Sequence, residues 1–174
     1  MKKHLKTACL VIGIVMFVGA ALFAGMIWYF YSQISTPELT KLTEAYRLMG
    51  ENQHEKALAV CEELLKSKPD YYPAQQCKGD ILVQMKRYDD ALLYFDGIAK
   101  KDPQNAYALV RKADVQAMTK HSSEALATYE SALAISPGSC DAWQGKGDLL
   151  TSMGRLEEAL KAYDTGLSKT EGMT

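Results

Sequence analysis

One feature restricts this chain more than any other: positions 34 residues apart carry the same kind of side chain. Ala57, Ala91, Ala125 and Ala159 form one such column. Pro69, Pro103 and Pro137 form a second, with Glu171 in the fourth place. Four residues after each alanine stand Cys61, Phe95, Tyr129 and Tyr163, and twelve residues before it stand Ala45, Gly79, Ala113 and Gly147. A period of this length belongs to stacked arrays, in which each unit buries its apolar face only against its neighbours. Within a unit the apolar positions recur at steps of three and four, as in Leu82, Met85, Tyr88, Ala91, Leu92, Phe95 and Ile98, the spacing of helices rather than strands. Each unit therefore reads as two helices. Asp102-Pro103 ends the second, because a residue before proline is pushed out of the α region. Gly154-Arg155 supplies the tight turn of the last unit, and Asn52, Lys86 and Lys120 stand where Gly154 does. A left-handed backbone there suits Asn and costs lysine something.

The fullest unit is Ala142-Trp143-Gln144-Gly145-Lys146-Gly147-Asp148-Leu149-Leu150, then Met153-Gly154-Arg155-Leu156-Glu157-Glu158-Ala159-Leu160-Lys161-Ala162-Tyr163. Here the sequence resembles the tetratricopeptide repeat family. Trp143, Gly147, Gly154, Ala159 and Tyr163 meet the family pattern, while Glu171 replaces its proline. Four repeats are expected at 38–71, 72–105, 106–139 and 140–173. The first is the weakest, with Lys41 where Trp143 stands and Cys61 in place of the aromatic. The resemblance implies an all-α chain, a right-handed α-solenoid of helix-turn-helix repeats. Its concave surface, lined by the first helix of each pair, would hold a peptide or a partner helix. No chemistry is implied.

Ahead of the repeats lies a different segment. From Thr7 to Tyr31 no residue is charged, which exceeds the roughly 20 residues a helix needs to cross about 30 Å of hydrocarbon. Trp28, Tyr29, Phe30 and Tyr31 suit a membrane interface, and Lys2, Lys3 and Lys6 in the flank 1–6 favour a cytoplasmic N-terminus. The expectation is a transmembrane helix at 7–31, a linker at 32–37 and repeats outside the cytoplasm. A cleaved signal peptide fits less well: apolar sequence runs past both candidate cleavage sites, Gly19-Ala20-Ala21 and Leu22-Phe23-Ala24. Small residues in the segment, Ala20 with Ala24 and Ala21 with Gly25, could support a dimer through the membrane.

The remaining composition narrows the function. Without the three N-terminal lysines the net charge of −1 becomes −4, which argues against nucleic acid as a partner, since phosphate binding needs a concentrated basic surface. Cys9, Cys61, Cys77 and Cys140 make no CxxC pair, so the reading for the three in the body is buried thiols acting as small hydrophobes. His4, His54 and His121 are scattered, and no nucleophile elbow, HExxH or phosphate loop occurs. The expectation is no enzyme, no cofactor and no metal.

The candidate groove follows from the period. One position after the small residue come Tyr46, Asp80, Asp114 and Asp148, with Gln76, Gln84 and Gln144 nearby. The functional reading is a polar, acidic strip for a basic or hydrogen-bonding peptide; the alternative is that the aspartates bond neighbouring helices. Lys78, Lys112 and Lys146 lie about 200° around the helix from the aspartates. The family's chaperone-binding members hold a C-terminal carboxylate with a basic clamp. Here Leu42 and Tyr46, Cys77 and Tyr107 replace four of its residues and only Arg111 matches. A second candidate surface is the last helix, where Leu156, Leu160, Tyr163 and Leu167 fall on one face with no following repeat to cover them; self-association or partner docking through this edge is expected.

Two classes of function remain. One is a membrane-anchored binding module for assembly or quality control of envelope proteins. The other is a structural subunit of a larger membrane complex. An organelle outer-membrane receptor with cytosolic repeats is a third possibility, though the Met-Lys-Lys start looks more prokaryotic.

Overall fold

In the computed structural model, residues 36–171 are described. The expected transmembrane segment at 7–31 lies outside them, as does the basic flank. Among the described residues no helix is long and apolar enough to cross a membrane. The described chain is eight helices with no strands: α1 Pro37–Gly50, α2 His54–Ser67, α3 Tyr72–Gln84, α4 Tyr88–Lys101, α5 Ala106–Met118, α6 Ser122–Ile135, α7 Cys140–Ser152 and α8 Leu156–Glu171. They pair in order, and each pair packs on the next.

The turn inside every pair is the same device. Asn52, Lys86, Lys120 and Gly154 take positive φ, at 59°, 57°, 65° and 74°. The following amide reaches back over the last turn, Gln53 N to Leu48 O at 2.9 Å, Arg87 N to Leu82 O at 2.9 Å, His121 N to Gln116 O at 2.8 Å and Arg155 N to Leu150 O at 2.9 Å. This bond satisfies a carbonyl that the helix end would leave bare, which is why two lysines accept a left-handed backbone. Between pairs the residue before proline ends the helix in extended geometry: Lys68, Asp102 and Ser136 have φ of −135°, −130° and −127°. Thr36, Asn105 and Ser139 then start first helices by accepting from the amides of Leu39, Ala108 and Ala142. Trp143 Nε1 donates to Pro137 O at 2.9 Å, and Gln75, two periods earlier, does the same to Pro69 O.

The columns explain the packing. Ala57, Ala91 and Ala125 are fully buried and Ala159 nearly so, where only a methyl group fits between helices. Each aromatic of the next column lies against a glycine. A Cβ on Gly79 would stand 2.7 Å from Phe95 Cε1, one on Gly145 would stand 2.7 Å from Tyr129 Cε1, and one on Gly147 would stand 2.6 Å from Tyr163 Cζ. Phe95 and Tyr163 find their glycine in their own repeat. Tyr129 has Ala113 at the matching position of its own repeat and lies against Gly145 of the next. The first repeat offers Ala45 and Cys77, no glycine, and its column residue is the small Cys61.

Ion pairs repeat with the same period. Lys78 binds Glu62 at 2.7 Å, Lys112 binds Asp96 at 2.7 Å and Lys146 binds Glu130 at 2.9 Å. Each joins a first helix to the second helix of the preceding repeat, so these lysines are occupied away from the aspartate row.

Candidate functional site

The first helices α1, α3, α5 and α7 carry the expected groove residues, and the structure joins part of that row into a network. Arg111 on α5 donates to Asp80 on α3 and, at 2.9 Å, to Asp114 one turn along its own helix. The other oxygen of Asp114 accepts from the Tyr129 hydroxyl at 2.5 Å. Burial pushes the Asp114 carboxyl up from its ordinary range, and the Tyr129 hydroxyl and the Arg111 guanidinium partly offset that. Tyr129 is pushed up in turn, chiefly by burial and then by the adjacent Asp114 carboxylate. Asp148 accepts from the Tyr163 hydroxyl at 2.7 Å and stays exposed. Two of the three aspartates thus bond a second helix of their own repeat, and Asp80 bonds the next repeat.

Tyrosines stand beside the carboxylates. Tyr46 and Tyr72 remain 40% and 42% exposed, unusual for large aromatic side chains in a packed stack. Tyr72 meets Tyr107 edge-on, with ring centroids 5.2 Å apart, and Tyr107 meets Phe95 at 6.5 Å. Gln76 is half-buried and hydrogen-bonds Tyr72; Gln84 and Gln144 are exposed. Burial raises Tyr46 and Tyr107, and the negative charge of Asp80 adds to both. Asp141, in the first turn of α7, acts on both Tyr72 and Asp114. Tyr72, Tyr107, Arg111 and Asp141 are therefore site residues that the period alone did not single out. Arg111 carried a signal, as the one residue matching the carboxylate clamp, but its guanidinium is bound to two carboxylates and would have to leave them to hold a third. The face carries four carboxylates (Asp80, Asp114, Asp141 and Asp148) against this one guanidinium, and is acidic.

At the far end, Leu156 and Leu160 are exposed. The position of Leu160 one, two and three repeats earlier is Leu126, Leu92 and Leu58, half-buried, half-buried and 7% exposed, against 62% for Leu160. Tyr163 does not join them: its ring turns inward against Gly147 and its hydroxyl is held by Asp148. Leu167, also exposed, lines a hollow with Trp143, Gln144, Asp148 and Tyr163. Of the four residues expected as one apolar face, Leu156, Leu160 and Leu167 are thus exposed and Tyr163 alone turns inward.

Among the described residues no group of three or more His, Cys, Asp or Glu is placed to hold a metal ion. His54 begins α2, and His121 precedes α6 with its ring nitrogen 3.0 Å from Thr119 Oγ1.

Comparison with known proteins agrees with this geometry. The tetratricopeptide repeat pattern matches residues 48–113, 82–133 and 121–172. No curated protein sequence matches the chain. Among solved structures, MamA from Desulfovibrio magneticus RS-1 is similar at 16% identity and a TM-score of 0.62, over 78% of this chain and 76% of that one. A thermophilic TPR protein of Thermus thermophilus is similar at 14% identity and a TM-score of 0.65, over 77% of this chain and 75% of that one. At such identities the likeness is one of fold.

Proposed function

Because the chain belongs to the tetratricopeptide repeat family, we propose that it is a membrane-anchored protein-interaction module and not an enzyme. Its first helices hold a basic segment of a partner polypeptide, and residues 7–31 keep the repeats at the membrane, outside the cytoplasm. The observation that supports this reading is the pairing of half-exposed Tyr46 and Tyr72 with a row of carboxylates carried by the first helices of the second to fourth repeats. Tyrosine offers a rigid apolar surface with a polar tip, and carboxylates select lysine or arginine. Assembly or quality control of envelope proteins is the process such an anchored groove would serve.

The test uses the full chain in detergent and a set of lysine- and arginine-rich peptides. Asp80→Asn, Asp141→Asn and Asp148→Asn together should weaken binding, and wild-type binding should fall as salt rises. Asp114 is left in place because both its oxygens are held, one by Arg111 and one by Tyr129. Binding that ignores both salt and the triple change would refute the basic-segment reading.

A second reading, a structural subunit docked through the C-terminal edge, is favoured by the exposure of Leu156 and Leu160 at the end of the stack. Loss of a stoichiometric partner on Leu156→Lys with Leu160→Lys, with the triple groove variant retaining it, would select this reading over the first.

A further inference from the structure

The aromatic column on the second helices faces a defined column on the following first helices. Tyr129 on α6 lies against the Cβ position of Gly145 on α7. One period earlier the facing positions are Phe95 and Arg111, and two periods earlier they are Cys61 on α2 and Cys77 on α3. At the first junction, and at no other among the described repeats, both facing residues are thiols. They are 1% and 0% exposed, belong to one core cluster, and hydrogen-bond each other. Neither is disulfide-bonded in this structure.

We propose that Cys61 and Cys77 are a disulfide-forming pair that staples the first repeat to the second when the chain meets a disulfide oxidant. The inference is independent of the groove reading. The Cys61 thiolate attacks one sulfur of the oxidant, expelling the other half as a thiolate and giving a mixed disulfide. The Cys77 thiolate then attacks the Cys61 sulfur and expels the second half of the oxidant. The two cysteines lose two protons and two electrons, and the oxidant's disulfide becomes two thiols. The order of attack follows from the surroundings. The Cys77 thiol donates to the Cys61 sulfur and the Lys78 ammonium lies near, so Cys61 is held below the ordinary thiol range, while Cys77, as donor in a buried site, is pushed up. Both sulfurs are covered, so the oxidant gains access when α1 and α2 swing away from α3. Among the described repeats this opening breaks one junction only, as release of an end repeat does in an array of this kind. A chain whose repeats lie outside the cytoplasm would hold the oxidised form.

The experiment uses the full chain in detergent carrying Cys9→Ser and Cys140→Ser, so that only the pair remains. It is incubated with excess oxidised glutathione, alkylated after denaturation, digested and analysed by mass spectrometry, and its melting is followed with and without dithiothreitol. The expected result is a Cys61–Cys77 linked peptide, loss of both alkylation sites, and a melting temperature higher by about 5–10 °C that dithiothreitol reverses. Adding Cys77→Ala should abolish the oxidant-dependent shift, read within the variant against its own reduced melting temperature, which the lost side chain lowers. Two fully alkylated cysteines after prolonged oxidation would overturn the proposal. So would a linked pair whose melting temperature is unchanged or lower.

Discussion

Gly79→Ala is the sharpest perturbation of the packing. Its Cβ would stand 2.7 Å from Phe95 Cε1 and closer still to Cζ, well inside van der Waals contact. Phe95 is fully buried, so the ring has nowhere to go, and Arg111 occupies the facing position on the next repeat. Overpacking of this kind costs about 1–3 kcal/mol, and the severity of the overlap places it at the upper end. Alanine in a helix interior recovers about 1 kcal/mol relative to glycine. The net expectation is a loss of about 1–2 kcal/mol. Gly97→Ala on α4 is the control: its Cβ meets nothing within 4 Å, so it keeps the helical gain and should stabilise by up to about 1 kcal/mol. Urea unfolding of residues 36–174 followed by circular dichroism measures both. Gly79→Ala together with Phe95→Leu should recover part of the loss, because the smaller side chain vacates the overlap. If Gly79→Ala proved as stable as Gly97→Ala, the pairing of each aromatic with one glycine would not be what sets the helix spacing.

Other consequences can be measured in the same protein. Ala125 is fully buried, and Ala125→Leu should cost on the order of 1–3 kcal/mol in the same unfolding assay; an unchanged midpoint would contradict its place at a helix contact. Asp96 is held at about 2, against an ordinary 3.8, chiefly by Lys100 and then Lys112. Its folded value is depressed, so its contribution is present above about pH 4 and is lost as pH falls towards 2. Asp96→Asn should flatten the stability profile in that window, and a profile identical to wild type would refute the assignment. Protease added outside spheroplasts should digest the repeats if the N-terminus is cytoplasmic, and full protection until lysis would reverse the topology.

What could be read from the residues was whatever repeats on its own. The alanine column, the residues before proline and the turn position each show in one column at a time, and even Lys86 and Lys120 fall where Gly154 does because the turn tolerates them through its back-reaching amide. What could not be read depends on two columns together. Tyr129 meets Gly145 only because the next repeat stacks on it, and the small Cys61 stands where neither neighbour is a glycine. Arg111 looked like one fifth of a carboxylate clamp; its bond to Asp80, 31 residues away, is a fact of how adjacent repeats stack. At the C-terminal edge one residue departs from the expected face for a related reason: Leu156, Leu160 and Leu167 are exposed, and Tyr163 is not among them. Helical spacing put Tyr163 beside Leu160, but Gly147 left room for the ring to turn inward.

The central claim, that the first helices are the binding face, is tested most directly by a photo-reactive amino acid placed at single exposed positions in the full chain and activated in living cells. Gln144 and Tyr46 report the face of the first helices, and Leu93, 73% exposed on α4, reports a second helix. A polypeptide partner crosslinked from Gln144 and Tyr46 and not from Leu93 is the predicted result. Crosslinking from Leu93 alone would place the partner on the other face and contradict the account.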